Sequence, residues 1–151
     1  KRSCKLGTEN SLSFFMTAIE SKTIVKQPVE VVYKFLADCN NHEKLMPENV
    51  HNWSSTQDEA SFTIQNMAKL ALRVKERKEN EEILIIPSEK APFELTLSWK
   101  INAVDPSTSE VVLLINADLN MMMKMIASGP LKKLTDFQTA RLKEELEQQF
   151  H

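Results

Sequence analysis

Three histidines, two cysteines and a run of methionines are the residues of this 151-residue chain whose chemistry could define a site. His42, His51 and His151 lie far apart and form no metal-ligand spacing, so each reads as a surface or incidental group. Cys4 and Cys39 likewise show no metal spacing, and a disulfide between them would be unusual in a reducing compartment. The segment Asn120-Met121-Met122-Met123-Lys124-Met125-Ile126 offers thioethers, which suit Cu(I). No His or Cys stands beside it, and adjacent side chains on a helix point in different directions, so copper is not expected. Methionine is unbranched and repacks around varied shapes, so Met121, Met122 and Met125 read as an adaptable wall over something apolar.

Proton-transfer chemistry needs an acid or base inside a cavity. The rows of alternating residues assigned to an inward face contain no Asp, Glu, His, Lys or Arg. Asn116 and Asp118 fall on the face opposite Leu113 and Ile115. Tyr33 reads as a structurally partnered hydroxyl, and Glu43-Lys44 and Glu76-Arg77 as solvated charges. Glycine occurs only at Gly7 and Gly129, so there is no Gly-rich loop to cradle a phosphate. No catalytic residue, metal or cofactor is therefore expected.

The elements that would position these groups follow from hydrophobic period. The strongest signal is a pair of alternating rows. Phe93, Leu95, Leu97, Trp99 and Ile101 form the first; Val111, Leu113, Ile115, Ala117 and Leu119 form the second. The stretch Asp105-Pro106-Ser107-Thr108-Ser109 between them has turn chemistry. Strands are predicted at 17–26, 50–55, 61–65, 70–77, 83–86, 93–104 and 110–119. In 70–77, Leu70, Leu72 and Val74 share one face, and Arg73, Lys75 and Arg77 the other. Ile83 to Ile86 is apolar on both faces, as for a strand covered on both sides or close to a helix. Asn80 with its neighbours reads as a turn.

Pro28 opens a helix whose face is Val29, Val32, Tyr33 and Leu36, ending near Asp38. Asn40 caps a second short helix through Leu45, stopped by Pro47. Asn120 caps another short helix through Ala127. Ser128 then caps a longer one with Pro130 in its first turn and Leu131, Leu134, Phe137, Leu142 and Leu146 as its stripe. The order is one strand, two short helices, six strands and a long C-terminal helix. Short loops between consecutive strands imply antiparallel pairing. One helix cannot fill the concavity of a strongly curved sheet, so a cavity is expected.

Composition sets the class. Hydrophobic residues make up 42% and charged residues 26%, which fits one ordinary globular domain. A net charge of −2 from 19 basic and 21 acidic residues gives no electrostatic footprint for nucleic acid. No apolar run approaches the ~20 residues that span a bilayer, so neither stable membrane insertion nor any location but the cytoplasm is expected. The apolar stretch at Leu12-Ser13-Phe14-Phe15 is too short for a signal peptide, and Glu9 interrupts it. Residues 1–15 read as an extension outside a core domain of 16–151. An exposed strand edge, or the first strand with its tail, could pair in a homodimer.

Four stretches carry a family resemblance. They are Gln27-Pro28-Val29-Glu30-Val31-Val32-Tyr33-Lys34-Phe35-Leu36-Ala37-Asp38; Leu45-Met46-Pro47 followed by Val50 and Trp53; Pro92-Phe93 opening a strand that reaches Trp99-Lys100-Ile101; and the amphipathic C-terminal helix. With the order of elements, these resemble the START-like (SRPBCC) superfamily, which includes birch-pollen-allergen-type, polyketide cyclase/dehydrase and lipid-transport proteins. The resemblance spans roughly 16–148 and rests on packing signatures, which specify fold better than function. It implies an α+β helix-grip fold: a curved seven-stranded antiparallel sheet around a long C-terminal helix, with a hydrophobic tunnel between them. The usual contents are lipids, sterols, quinones or polyketides.

The expected ligand-binding residues are Trp53, Phe62, Leu72, Phe93, Leu95, Leu97, Trp99, Leu113 and Ile115 as the floor, with Met122, Met125 and Ile126 as a wall or lid. The first reading is a protein that holds an apolar small molecule without converting it. A cyclase or dehydrase, and a protein-binding module, are the alternatives. A converging polar cluster would favour the enzyme, and a filled cavity with a large exposed apolar patch the protein-binding module.

Overall fold

The structure, a computed structural model, describes residues 16–65, 68–89 and 94–148. Seven strands form one antiparallel sheet in the order β1-β7-β6-β5-β4-β3-β2. They are β1 Met16–Val25, β2 Val50–Ser55, β3 Glu59–Ile64, β4 Ala68–Lys78, β5 Glu82–Pro87, β6 Leu95–Asp105 and β7 Thr108–Asp118. The sheet curls into a half-barrel, and a long helix α2, Met121–Gln148, is gripped in its concavity. A short helix α1, Val29–Leu36, and a 3₁₀ helix, Cys39–Leu45, follow β1. The expected extension at 1–15 lies outside the described residues, as does Phe93.

The alternating rows set the sheet faces. In β7, Val111, Leu113, Ile115 and Ala117 are buried and their neighbours are half-covered. They pair across to Ile101, Trp99, Leu97 and Leu95 of β6, so two strands place one continuous apolar face inward. Ile83 and Ile85 extend it onto β5, while Leu84 and Ile86 on the other face are only half-buried. The turns hold as chemistry predicts. Asp105 Oδ1 accepts from Ser107 N at 2.9 Å, and Asn80 takes a left-handed φ of 63° between β4 and β5.

Two irregularities change which side chains face in. Register shifts between Val74 and Glu76, so Val74 pairs with Ile85 and Arg77 pairs with the inward Ile83. Arg77 therefore shares the concave face with Val74, against the expectation that it lies opposite as a solvated charge. Its guanidinium donates to Ala37 O at 3.1 and 2.8 Å and to Gln57 O at 3.1 Å, and it pairs with Asp58 at 2.9 Å. The second shift lies in β2, between His51 and Ser54, where Asn52 has a left-handed φ of 58°. Asparagine tolerates that region better than most residues. Simple alternation from Val50 would turn Trp53 outward; the extra residue turns it in.

The end of α1 is closed by side chains. The last carbonyls of a helix lack intrahelical donors. Here Phe35 O accepts from Asn41 Nδ2 at 2.9 Å, Leu36 O from His42 Nε2 at 2.8 Å, and Ala37 O from Arg77. Asp38, not Asn40, caps the 3₁₀ helix, accepting from Asn40 N at 2.9 Å.

The expected break at Ser128 does not occur. Asn120 Oδ1 caps the whole of α2 by accepting from Met123 N at 2.8 Å, and the helix runs through Pro130. Pro130 removes one backbone donor and crowds the preceding turn, but it stands on the exposed side, where water can serve the freed carbonyl. Ser128 Oγ is buried without a hydrogen-bond partner among the described residues, so it is no cap. The buried face of α2 is Ala127, Leu131, Leu134, Thr135, Gln138, Thr139, Leu142 and Leu146. Phe137, expected in the stripe, is exposed; polar residues take the middle positions instead. Thr139 Oγ1 and Ser21 Oγ meet at 2.8 Å, and Thr135 Oγ1 donates to Lys132 O at 2.9 Å, so the hydroxyls are satisfied. The C-terminal end of α2 is tied to β1 and to the connection that follows it through Lys143 to Ile24 O and Gln27 to Leu146 O, each at 3.0 Å.

Candidate functional site: a cavity between sheet and helix

A cavity of about 50 Å³ lies between the concave sheet face and the helices. Its sheet wall is Trp53, Ala60, Phe62, Ile64, Leu70, Leu72, Ile85, Leu95, Leu97, Trp99 and Ile115. Its helical wall is Cys39, His42 and Met46 from the 3₁₀ helix and its exit, and Leu131, Leu134 and Gln138 from α2. Among the described residues, none of the lining is charged at neutral pH, given the state of His42 described below.

Seven of the expected residues come together here: Trp53, Phe62, Leu72, Leu95, Leu97, Trp99 and Ile115. Leu113 is fully buried in the adjoining core and does not line the cavity. Met122, Met125 and Ile126 stand away from it, 70%, 84% and 54% exposed. The reason is helical phase. Positions 123, 127, 131, 134 and 138 recur at three or four residues and face inward, so Met123 packs on the core and Ala127 is buried. Met122, Met125 and Ile126 fall on the outward face, and Ile126 borders a separate surface groove with Pro47, Gly129, Pro130 and Phe137.

The helical wall holds the residues that sequence reasoning missed. Cys39, His42 and Leu45 are all buried. Their three-residue spacing is the period of a 3₁₀ helix, whose side chains eclipse at i and i+3. That spacing was the available signal, and His42 is not the surface group expected. Burial pulls its imidazole pKa below the ordinary 6.5, opposed by the hydrogen bond to Leu36 O. A carbonyl can only accept, so the neutral ring carries its proton on Nε2 and its lone pair on Nδ1. Burial likewise pushes the Cys39 thiol up to about 11, with Arg77 opposing, so it is a protonated thiol rather than a nucleophile at neutral pH.

The two tryptophans differ. Trp53 stacks on Phe62 with ring centroids 5.3 Å apart and planes 17° from parallel. Its Nε1 donates to Ser55 Oγ at 2.9 Å, which in turn donates to Asn40 Oδ1 at 2.7 Å. Trp99 is fully buried and meets His42 edge-on at 6.1 Å. Its Nε1 has no hydrogen-bond partner among the described residues. Across the cavity, Gln138 Nε2 donates, among the described residues, to Met46 Sδ, a weak acceptor at 3.9 Å.

A seven-stranded antiparallel sheet gripping a C-terminal helix over an apolar cavity is the START-like (SRPBCC) helix-grip fold. Solved structures bear this out. The Zhui aromatase/cyclase from a Streptomyces species superposes with a TM-score of 0.74 at 14% identity, over 90% of this chain and 96% of that one. A START superfamily protein from Mycobacterium smegmatis gives 0.66 at 12% identity, over 87% and 97%. The di-domain aromatase/cyclase BexL gives 0.67 at 17% identity, over 87% of this chain and 46% of its own length. No family model and no curated protein matches the sequence. At these identities the likeness defines the fold and leaves the ligand to the site itself. Among the described residues, no helix is long and apolar enough to cross a membrane, and no group of three or more His, Cys, Asp or Glu could hold a metal ion.

Proposed function

We propose that the chain binds an uncharged, apolar small molecule of lipid, sterol, quinone or polyketide-like character between sheet and helix, for transport, storage or sensing in the cytoplasm. The observation that carries this reading is the lining: apolar and aromatic side chains from six strands, with a few polar groups and, among the described residues, no charge. Burying ~200 Å² of ligand at about 25 cal/mol per Å² supplies ~5 kcal/mol before the costs of association.

The cavity of about 50 Å³ is smaller than the roughly 150 Å³ that accommodates benzene, so a ligand enters by displacing a wall. The helical wall is the one to move. The strands beneath are bonded into one sheet, β3 to β7 on both sides and the edge strand β2 on one, whereas the 3₁₀ helix and α2 meet across side chains. Native mass spectrometry of the gently extracted protein tests the reading. A co-purifying apolar molecule, displaced by added sterol, quinone or fatty-acid probes, is expected. A bare chain that takes up none of them overturns it.

A second reading, a polyketide cyclase or dehydrase, is favoured by His42. A neutral imidazole on the cavity with one free lone pair is the form a general base needs. The aromatase/cyclase neighbours are consistent with it. Turnover of a poly-ketone probe, lost in His42→Gln with binding retained, would establish this reading over simple carriage. The outward row of Met122, Met125 and Ile126 is the feature that a protein-binding role would use.

A further inference from the structure

We infer that the Trp99 indole N–H is the specificity donor of the cavity, and that it selects ligands carrying an uncharged oxygen acceptor such as a ketone or quinone carbonyl. This rests on the cavity being a ligand site and deepens that reading. Trp99 is on β6 at the floor of the cavity, fully buried, with Nε1 lacking a partner among the described residues. Trp53, on the same wall, shows the ordinary outcome, an indole N–H donating to a hydroxyl. A buried donor left unmade is costly, and a ligand that supplies the acceptor removes the cost.

The wall chemistry narrows the acceptor. Among the described residues no Lys or Arg lines the cavity, so a carboxylate would be desolvated without a countercharge. A neutral carbonyl meets no such penalty. Gln138, held by the Met46 thioether, adds a second amide N–H that can exchange a poor acceptor for an oxygen. His42 is edge-on to Trp99 and already committed through Nε2 to Leu36 O, so it does not compete for the indole proton through that nitrogen. The result is an apolar pocket with donors waiting for oxygen, which rejects a hydrocarbon of the same shape by leaving them unpaired.

A matched pair tests this on the intact chain. 2-Acetylnaphthalene and 2-isopropenylnaphthalene are both planar and nearly isosteric, and differ by C=O against C=CH₂. The ketone is expected to bind roughly tenfold tighter, the worth of one neutral hydrogen bond. In a ¹H–¹⁵N spectrum the Trp99 indole proton, assigned by comparison with Trp53→Phe, should move downfield with the ketone alone. Trp99→Phe should remove most of the difference between the two affinities. The spectrum of the unaltered chain decides the matter even where that variant fails to fold. Equal affinities with no indole shift overturn the donor role while leaving the cavity intact as a ligand site. Failure of both probes to bind overturns the inference together with the cavity reading beneath it.

Discussion

The two walls of the cavity are built on different principles. On the sheet wall, Leu97, Trp99 and Ile115 are fixed by ladder pairing on both flanks of β6 and β7, and Leu95 by pairing with β7. On the helical wall, Cys39, His42, Leu131 and Gln138 are fixed by a few side-chain bonds and by packing. The first wall is nearly all apolar; the second carries most of the polar groups. A rigid apolar floor facing a softer polar cover can admit a ligand without unravelling the sheet.

The sharpest way to break this contrast is to hollow the floor. Trp99→Ala removes the largest fully buried side chain and should cost ~3–5 kcal/mol, read from urea unfolding. A loss under 1 kcal/mol would mean the floor is not a packed unit. Arg77→Ala acts on the cover instead. It strips Ala37 O and Gln57 O of their charged donor and should cost ~1.5–3 kcal/mol. Hydrogen exchange should then quicken in 29–45 and stay unchanged in β6 and β7. Uniform quickening would show the walls are one cooperative unit.

A smaller effect separates the walls by pH. The unfolded His42 takes a proton below about 6.5, whereas the folded ring stays neutral to lower pH. Stability is therefore full above 6.5 and falls on acidification from there toward the lowered folded value, by at most ~1.4 kcal/mol per pH unit. The melting temperature should drop between pH 6.5 and 5, and His42→Gln should flatten that slope. An unchanged slope would place the sensitivity elsewhere. The least effect belongs to the outward face of α2. Met122→Gln, Met125→Gln and Ile126→Gln should each stay within ~0.5 kcal/mol of the parent in the same unfolding assay.

The same contrast explains what could be read from the chain. The β6–β7 rows were legible because a strand's period of two is simple and both strands keep it for most of their length. The bulges beside Asn52 and Lys75 were not, since one extra residue reverses every later assignment and leaves no mark in composition. Trp53 was named for the site although alternation from Val50 alone would have turned it outward; Arg77 was assigned to the wrong face. The helical wall escaped for other reasons. A 3₁₀ period of three looks in sequence like any short helix, and nothing in composition marks Cys39, His42 and Leu45 as its buried side. In α2, Thr135, Gln138 and Thr139 occupy buried positions that an apolar stripe does not predict, and the stripe draws Phe137 inward. A boundary at Ser128, with Pro130 in the first turn beyond it, separates the methionines from the phase of the helix that follows. In one continuous helix, that phase turns Met123 in and Met122, Met125 and Ile126 out.

The central claim is that ligand occupies the space between the walls. It is tested most directly by titrating the chain with Nile red, a neutral apolar fluorophore, beside two variants. Ala60→Phe grows a ring from the sheet wall into the cavity; the Met122→Gln, Met125→Gln, Ile126→Gln triple variant changes only the outer helix face. The account predicts saturable one-to-one binding that Ala60→Phe abolishes and the triple variant preserves. Binding lost in the triple variant and kept in Ala60→Phe, or no saturable binding at all, would contradict it.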